Sequence, residues 1–135
     1  MTHWLVKSEP DAYGYADLVA EGTGLWDGVR SHQAANNLRA MAVGDTLLFY
    51  HSVSEKAIVG TARVTGAARP DPTDPTGEWV AVELRAEAAW ERPVTLSAIK
   101  ADPRLADMAL VRQSRLSVGP VTDAELAVLR KLAGL

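Results

Sequence analysis

The stretch WDGVRSHQAANNLRAMAVGDTLLFYHS, residues 26–52, carries the strongest structural signals in the 135-residue chain. Ala34 and Leu38 recur at the spacing of one helix face, and the VGD sequence at 43–45 ends that helix and turns the chain. The apolar run at 46–51 has the length of a buried strand. The stretch therefore predicts a helix, a turn and a strand, in that order.

The same stretch contains an unusual number of polar side chains for so compact a segment. They are Arg30, Ser31, His32, Gln33, Asn36, Asn37, Arg39, His51 and Ser52. Arginine, asparagine and glutamine recognise base edges or phosphates at two points, and Trp26 offers a flat face for stacking. Two interpretations stay open from these residues: a nucleic-acid-binding surface, or the solvated side of an amphipathic helix.

Segments on both sides of this stretch predict further strands. They are residues 3–8, 57–68, 79–89 and 115–118. Gly60 and Gly66 predict bulges in the second of these strands, and Gly119-Pro120 is expected to end the last one. The proline-rich residues 69–77 are predicted to be a loop.

Helices are predicted at residues 17–21, after Asp102-Pro103, and near the end of the sequence. The last helix has the clearest start signal, a capping box formed by Thr122 and Glu125. About six strands and a few short helices, without a repeated strand–helix alternation, predict an α+β fold. The length fits a single domain over residues 1–135.

Composition narrows the classes of function. The chain has no cysteine, which excludes disulfides, thiolate zinc sites and cysteine nucleophiles. Its net charge of -3 argues against a protein that coats nucleic acid by global electrostatics. The three histidines show no metal-ligand spacing, so neither a metal nor another cofactor is expected. Without a signal peptide or membrane-span pattern, we expect a cytoplasmic protein that does not bind membranes, and abundant arginine and alanine hint at a bacterial source.

Several motifs resemble, in the right order, those of the EVE domain family. They are Trp4-Leu5, KSEP at 7–10, WDGVR at 26–30, Gln33-Ala34, Asn36, Leu38-Arg39, VGD at 43–45, FYHS at 49–52, RLSV at 115–118 and Pro120-Val121. The resemblance implies a PUA-like fold, a small mixed β-barrel with short helices at its rim. It also implies a pocket that accepts one modified base, chiefly a modified cytosine, flipped out of DNA or RNA.

Carried over motif by motif, the resemblance implies a set of base- or nucleic-acid-binding residues. The set is Lys7, Ser8, Trp26, Val29, Arg30, Ser31, His51, Ser52, Arg115 and Ser117. A flipped base needs an aromatic face and hydrogen bonds at its edge. We predict that Trp26 forms a wall of the pocket, whereas Trp79 and Trp90 pack in the core.

The chain departs from the family pattern at three places. Ser31-His32 replaces a usual Asn-Tyr pair, Ala35 replaces an arginine, and the loop at 69–78 is shorter than usual. Serine lacks the paired donor and acceptor of an amide, so base preference or affinity is expected to differ.

Two other classes of function remain as alternatives. The first is an enzyme, with a hydrolytic site assembled from Lys7, Ser8 and Glu9, or from His51 with Ser52. The related ASCH domains include amidohydrolases that act on acetylated cytidine with a lysine, a hydroxyl residue and a glutamate. Adjacent strand residues point to opposite faces, which disfavours a shared site for Lys7 and Ser8. The other class is a protein interaction module. The expected partner is nucleic acid, and the expected oligomeric state is a monomer.

Overall fold

The structure, a computed structural model, describes residues 2–135, and this part of the chain forms one mixed sheet with short helices around it. Its strands are β1 (His3–Ser8), β2 (Thr23–Trp26), β3 (Thr46–His51), β4 (Ala57–Pro70), β5 (Val80–Thr95) and β6 (Val118–Val121). Their order across the sheet is β2-β5-β4-β3-β1-β6. The predicted α+β class and the number of strands are confirmed.

The register of the sheet brings the ends of two strands together. β1 runs parallel to β3, from His3 opposite Thr46 to Ser8 opposite His51, and all other pairings are antiparallel. The β4–β5 register shifts next to Gly60, which confirms the predicted bulge there. Bulges bend and twist the strands that contain them. The register shifts between the long strands β4 and β5 therefore curve the sheet.

The helices are short and lie on both faces of the sheet. They are α1 (Pro10–Tyr13), α2 (Tyr15–Glu21), α3 (His32–Ala40), α4 (Leu96–Ala101), α5 (Ala109–Arg112) and α6 (Asp123–Leu132), with a 3-10 turn at Pro103–Leu105. The predicted capping box of α6 is confirmed, since Thr122 accepts from the Glu125 N–H and Glu125 accepts from the Thr122 N–H. None of these helices has the length and apolar composition needed to cross a membrane.

Each face of the sheet has its own hydrophobic core, because successive strand residues point to opposite sides. On β1, Val6 belongs to the first core, which includes α2 and α3, whereas Leu5 belongs to the second, which includes α4 and α6. On β3, Phe49 belongs to the first core and Tyr50 to the second. The same alternation assigns the residues at the strand ends to one face of the sheet or the other.

Three strands differ in extent from the prediction, and one of them is β5, predicted at 79–89 but continuing to Thr95. The prediction that 115–118 form a strand ended by Gly119-Pro120 is wrong, because β6 begins at Val118 and contains both residues. β6 is an edge strand that pairs with β1, so the missing N–H of Pro120 costs no hydrogen bond on its open side. β4 continues through Pro70, which was predicted to lie in the loop. At this last position β4 pairs only with β5, so its other side is open and tolerates a proline.

Trp90 packs in the second core, as predicted, and is 6% exposed. Trp79 was also predicted to pack in the core, but it is only half-buried at the margin of the first core. Its indole is available to the polar residues of the neighbouring turn and helix.

Candidate nucleic-acid interface

Four of the predicted site residues meet where the parallel strands β1 and β3 end. Ser8 lies opposite His51 in the register, and the Ser52 N–H donates to the Ser8 carbonyl at 2.9 Å. Lys7 is the residue before Ser8 on β1. We call this region, together with residues 112–117 that cross it, the strand-end junction.

Residues 112–117 are held across the end of β1 by two hydrogen bonds from Lys7. The Lys7 backbone N–H donates to the Ser117 carbonyl at 2.9 Å, and Lys7 Nζ donates to the Ser114 carbonyl at 3.0 Å. These contacts bring Arg115 and Ser117 to the same junction as residues more than a hundred positions earlier in the chain. The structure therefore gathers the late-strand motif and the first-strand motif in one place.

The alternation of side chains divides the predicted residues between the two faces of the sheet. Ser8 follows Val6 on the first-core face, and His51 follows Phe49 on the same face. Lys7 follows Leu5 on the second-core face, and its Nζ lies 5.9 Å from the centre of the Tyr50 ring. The predicted set therefore does not form a single pocket wall.

On the second-core face, Lys7 and Ser52 line a cavity of about 310 Å³, which we call the lysine cavity. Its lining residues are Lys7, Tyr50, Ser52, Val53, Lys56, Leu96, Lys100, Leu110, Val111 and Ser114. Burial lowers the pKa of Lys7 and raises that of Tyr50. The Tyr50 phenol therefore stays protonated at neutral pH and can donate a hydrogen bond into the cavity.

A second cavity, of about 390 Å³, lies beside the start of α3, and we call it the α3 cavity. Its lining residues are Ser31, Gln33, Arg112, Gln113, Ser114, Arg115 and Leu116. Ser114 lines both cavities, so the two are neighbours at the junction. Among residues 2–135, the side chains of Ser31, Gln33 and Arg115 have no hydrogen-bond partner. The α3 cavity therefore presents polar groups that a ligand can use.

His51 is held by hydrogen bonds on both ring nitrogens. Nε2 accepts from the Tyr15 N–H at 3.0 Å, so the proton of a neutral ring is on Nδ1, which donates to Glu55 at 2.5 Å. The ring also lies edge-on to Phe49, with centroids 5.7 Å apart. Both nitrogens are therefore occupied, and His51 can offer a ligand only its ring face.

Trp26 and Val29 are more buried than a residue that lines an open pocket. Trp26 is 8% exposed and packs edge-on against Phe49 and Tyr13, with ring centroids 5.4 and 6.3 Å away. Val29 is 7% exposed in the same core. Neither residue lines the lysine cavity or the α3 cavity. The predicted role of Trp26 as a pocket wall stays a prediction, and its packing is a second role.

Arg30 connects the turn before α3 to the loop after β4. Its Nη1 donates to Asp71 at 3.0 Å and its Nη2 donates to Thr73 Oγ1 at 3.0 Å. Asp71 is 2% exposed and also accepts from the Gly28 N–H at 2.8 Å. Burial alone would raise the pKa of Asp71, but hydrogen bonds from Thr73, Gly28 and Arg30 lower it to about 2. We call this set of contacts the latch.

The loop within the latch is ordered by two identical Asp-Pro-Thr units, 71–73 and 74–76. In each unit one aspartate oxygen accepts from both the N–H and the hydroxyl of the threonine, at 2.6 to 2.9 Å. Asp74 also accepts from the Trp79 N–H at 2.8 Å. Sequence reasoning identified this segment only as a loop, although aspartates that bond to a threonine two residues later are a recognisable turn signal.

The polar face of α3 also contacts the loop. The His32 and Trp79 rings lie 4.9 Å apart, and Arg39 donates to the Glu78 carbonyl at 3.1 Å. The Arg30 guanidinium lies 6.0 Å from the Trp79 ring. Several polar residues at 26–52, among them His32 and Arg39, therefore contact the loop and stabilise the fold.

The residues proposed for an amidohydrolase do not converge. Lys7 and Ser8 lie on opposite faces of β1, as the alternation predicts, and Glu9 is exposed at the start of α1. No group of three or more histidine, aspartate or glutamate side chains in the described part of the chain could hold a metal ion.

Comparison with known proteins gives a consistent result. The model of the EVE domain family matches residues 2–132. Human thymocyte nuclear protein 1 is 32% identical over 92% of this chain and 70% of its own length. The solved structure of Rpa0253 from Rhodopseudomonas palustris is 47% identical, with a TM-score of 0.94 over 99% of this chain and 94% of that one.

Two further structures are informative. Human THYN1 protein in complex with DNA that contains 5-methylcytosine is 31% identical, with a TM-score of 0.92 over 100% of this chain and 99% of that one. An ASCH protein from Zymomonas mobilis covers 98% of this chain and 99% of its own with a TM-score of 0.61, but at 13% identity. The second likeness shows a shared fold alone.

Proposed function

The chain belongs to the EVE domain family, and on this premise we propose that it binds nucleic acid by holding one modified base, a modified cytosine, at the strand-end junction. The observation that carries the proposal is the likeness, along the whole chain, to human THYN1 protein bound to DNA containing 5-methylcytosine. A flipped base must be met by flat or apolar surfaces and by hydrogen bonds at its edge. The junction has side chains of both kinds.

We assign the polar contacts to the first-core face and the α3 cavity. Ser31 and Arg115 line that cavity without internal hydrogen bonds, and the Ser8 and Ser117 hydroxyls also have no partner in the described chain. These groups can bond to the edge of a base and to its flanking backbone. Ser31 is the most direct candidate for base preference because the family usually has an amide there.

We assign the apolar surface to the ring face of His51, with Phe49 and the buried Trp26 and Val29 packed behind it in the first core. A cytosine that carries an extra methyl group gains affinity from apolar contact, which is worth about 1–3 kcal/mol per methyl-sized group. His51 is held by Tyr15 and Glu55, so its ring orientation is fixed before a base arrives. Arg30 acts on the site through the latch, because it holds the turn that contains Gly28 and Val29.

The proposal covers both DNA and RNA, and a monomeric cytoplasmic protein. An ordinary phosphate contact does not distinguish the two nucleic acids, whereas a contact to the 2′-hydroxyl does. The amidohydrolase alternative predicts release of acetate from acetylated cytidine. We expect no release above a heat-killed control, and turnover that disappears in Lys7→Ala would contradict the proposal.

The experiment that tests the proposed function is mass-spectrometric identification of nucleosides that co-purify with the protein under gentle conditions. A reader should enrich a modified cytosine relative to unmodified cytosine in the same lysate. The matched control is Arg115→Ala, which should be folded but should lose that enrichment. Nucleic acid recovered with the nucleoside composition of the lysate would contradict the proposal.

A further inference from the structure

Three of the four lysines of the chain surround one cavity. Lys7, Lys56 and Lys100 line the lysine cavity, whereas Lys131 lies on α6. The chain has more acidic than basic residues, 17 against 14, yet no carboxylate lines this cavity. Within residues 2–135, none of these three lysines forms a salt bridge, whereas five of the arginines do. The cavity therefore concentrates positive charge that the fold does not neutralise.

The donors in the cavity are incompletely used. The ammonium of Lys7 has three N–H groups, and one of them donates to the Ser114 carbonyl at 3.0 Å. Tyr50, Ser52 and Ser114 add three hydroxyl groups to the lining. Unpaired cations and neutral donors without a carboxylate are complementary to an anion with several oxygen atoms.

The turn between β3 and β4 gives the cavity part of its shape. Val53 and Lys56 are the two residues other than glycine, in the described chain, with a positive φ, 70° and 50°. Both line the cavity, and the Lys56 carbonyl accepts from the Leu96 N–H at 2.8 Å. Lys100 lies one helical turn after Leu96 on α4. Left-handed conformations of such residues are unfavourable and occur often at binding sites.

From these observations we propose that the lysine cavity binds one phosphate group of the nucleic-acid strand, next to the modified base. This inference rests on the proposed function, in which the base binds at the α3 cavity. Ser114 lines both cavities, so a phosphate in the lysine cavity would lie next to that base. A strand whose base enters on one side of residues 112–116 can lay its adjacent phosphodiester on the other side. The phosphate fixes the position of the strand and carries no sequence information.

The test compares Lys56→Ala/Lys100→Ala with Lys131→Ala, because all three lysines are exposed and only the first two line the cavity. Each protein is titrated with a short single-stranded DNA that contains one 5-methylcytosine, and with the same DNA containing cytosine. Loss of a phosphate contact weakens binding to both DNAs by the same factor and reduces the slope of log affinity against log salt by about 1. The double variant should show both effects, and Lys131→Ala should match the parent.

A third DNA identifies the source of the phosphate. It carries a neutral methylphosphonate beside the modified cytosine, and it should bind the parent and the double variant equally. Inorganic phosphate, added as a competitor, should weaken binding of the charged DNA by the parent more than by the double variant. If phosphate competes but the methylphosphonate has no effect, the cavity binds a free anion and the backbone assignment is wrong.

The outcomes separate this inference from the proposed function. In one outcome the parent prefers 5-methylcytosine and the double variant binds as Lys131→Ala does. This result contradicts phosphate binding in the lysine cavity and is consistent with the reader function. A parent without any preference contradicts the reader function itself. A double variant that loses the preference while retaining its salt slope would show that these lysines act on the base.

Discussion

The latch and the strand-end junction both contain arginines and hydroxyl residues, but they use them in opposite ways. In the latch, Arg30, Asp71 and Thr73 bond to one another, and Asp71 is 2% exposed. At the junction and in the neighbouring α3 cavity, the side chains of Arg115 and Ser31 have no partner among residues 2–135. Polar groups whose bonds are satisfied internally stabilise a fold, whereas groups left open in a concave surface are available to a ligand.

The largest effect is expected from removing the centre of the latch. Asp71→Ala leaves the Gly28 N–H, the Thr73 hydroxyl and one side of Arg30 without their acceptor. Loss of a buried, multiply bonded carboxylate should lower the free energy of unfolding by about 3 kcal/mol. Urea denaturation of the variant and the parent measures this difference in the free energy of unfolding. Asp107→Ala is the matched control, because that carboxylate is 85% exposed in its ion pair and should cost less than about 1 kcal/mol.

The pH dependence of the same contact provides an independent check. The pKa of Asp71 in the folded protein is about 2, below the ordinary value of 3.8. Because the folded pKa is lowered, the stabilisation is complete above the unfolded pKa and is lost as the pH falls through the folded pKa. The difference in melting temperature between the parent and Asp71→Asn should therefore shrink from pH ~4 to pH ~2. A constant difference would contradict this account of the latch.

A smaller loss of stability is expected at the margin of the latch. Trp79 is half-buried against His32 and Arg30, so Trp79→Ala should cost about 2 kcal/mol, less than a fully buried indole would. Trp90→Ala is the buried reference. In thermal melts, the melting temperature of Trp79→Ala should be higher than that of Trp90→Ala. The reverse order would mean that Trp79 belongs to the core as the sequence predicts.

Local patterns in the sequence predicted much of the fold. The apolar run at 46–51, the bulge at Gly60 and the capping box of α6 are encoded by residues close together in the chain, and all three are present. The end of β6 was predicted too early, because Pro120, which is tolerated on an edge strand, was interpreted as a strand end.

The two functional regions could be predicted only in part, because they depend on contacts between distant residues. Gly28 and Asp71 are 43 residues apart, so no local pattern connects the latch to the turn before α3. The resemblance identified Lys7 and Ser52 but gave no reason to group them with Lys56 and Lys100. Burial of Trp26 was also missed, since its neighbours Phe49 and Tyr13 come from different segments.

In the junction, a change should alter binding and leave stability unchanged. Arg115→Ala should weaken binding of single-stranded DNA by about tenfold, the loss of one charge-assisted contact, without a shift in melting temperature. Arg130→Ala is the matched control, since this exposed arginine lies on α6 away from both cavities. Equal affinities for the two variants would remove Arg115 from the site.

The smallest effect is expected from restoring the family's amide in the α3 cavity. Ser31→Asn adds a donor and an acceptor beside Gln33, and one neutral hydrogen bond is worth about 0.5–1.5 kcal/mol. The ratio of affinities for 5-methylcytosine DNA and cytosine DNA should change by a few-fold. Ser97→Asn, on α4 outside the α3 cavity, should leave this ratio unchanged. If the ratio is the same in both variants and the parent, Ser31 does not contribute to base recognition.

The most direct test of the central claim is a fluorescence titration of the parent protein with two short single-stranded DNAs that differ by one methyl group on one cytosine. A pocket that holds the flipped base should bind the methylated strand about tenfold or more tightly, as expected for one methyl group in an apolar site. The ratio should persist as salt is raised, because the base contact releases no counterions. Equal affinities for the two strands at every salt concentration would contradict the claim that the junction recognises a modified base.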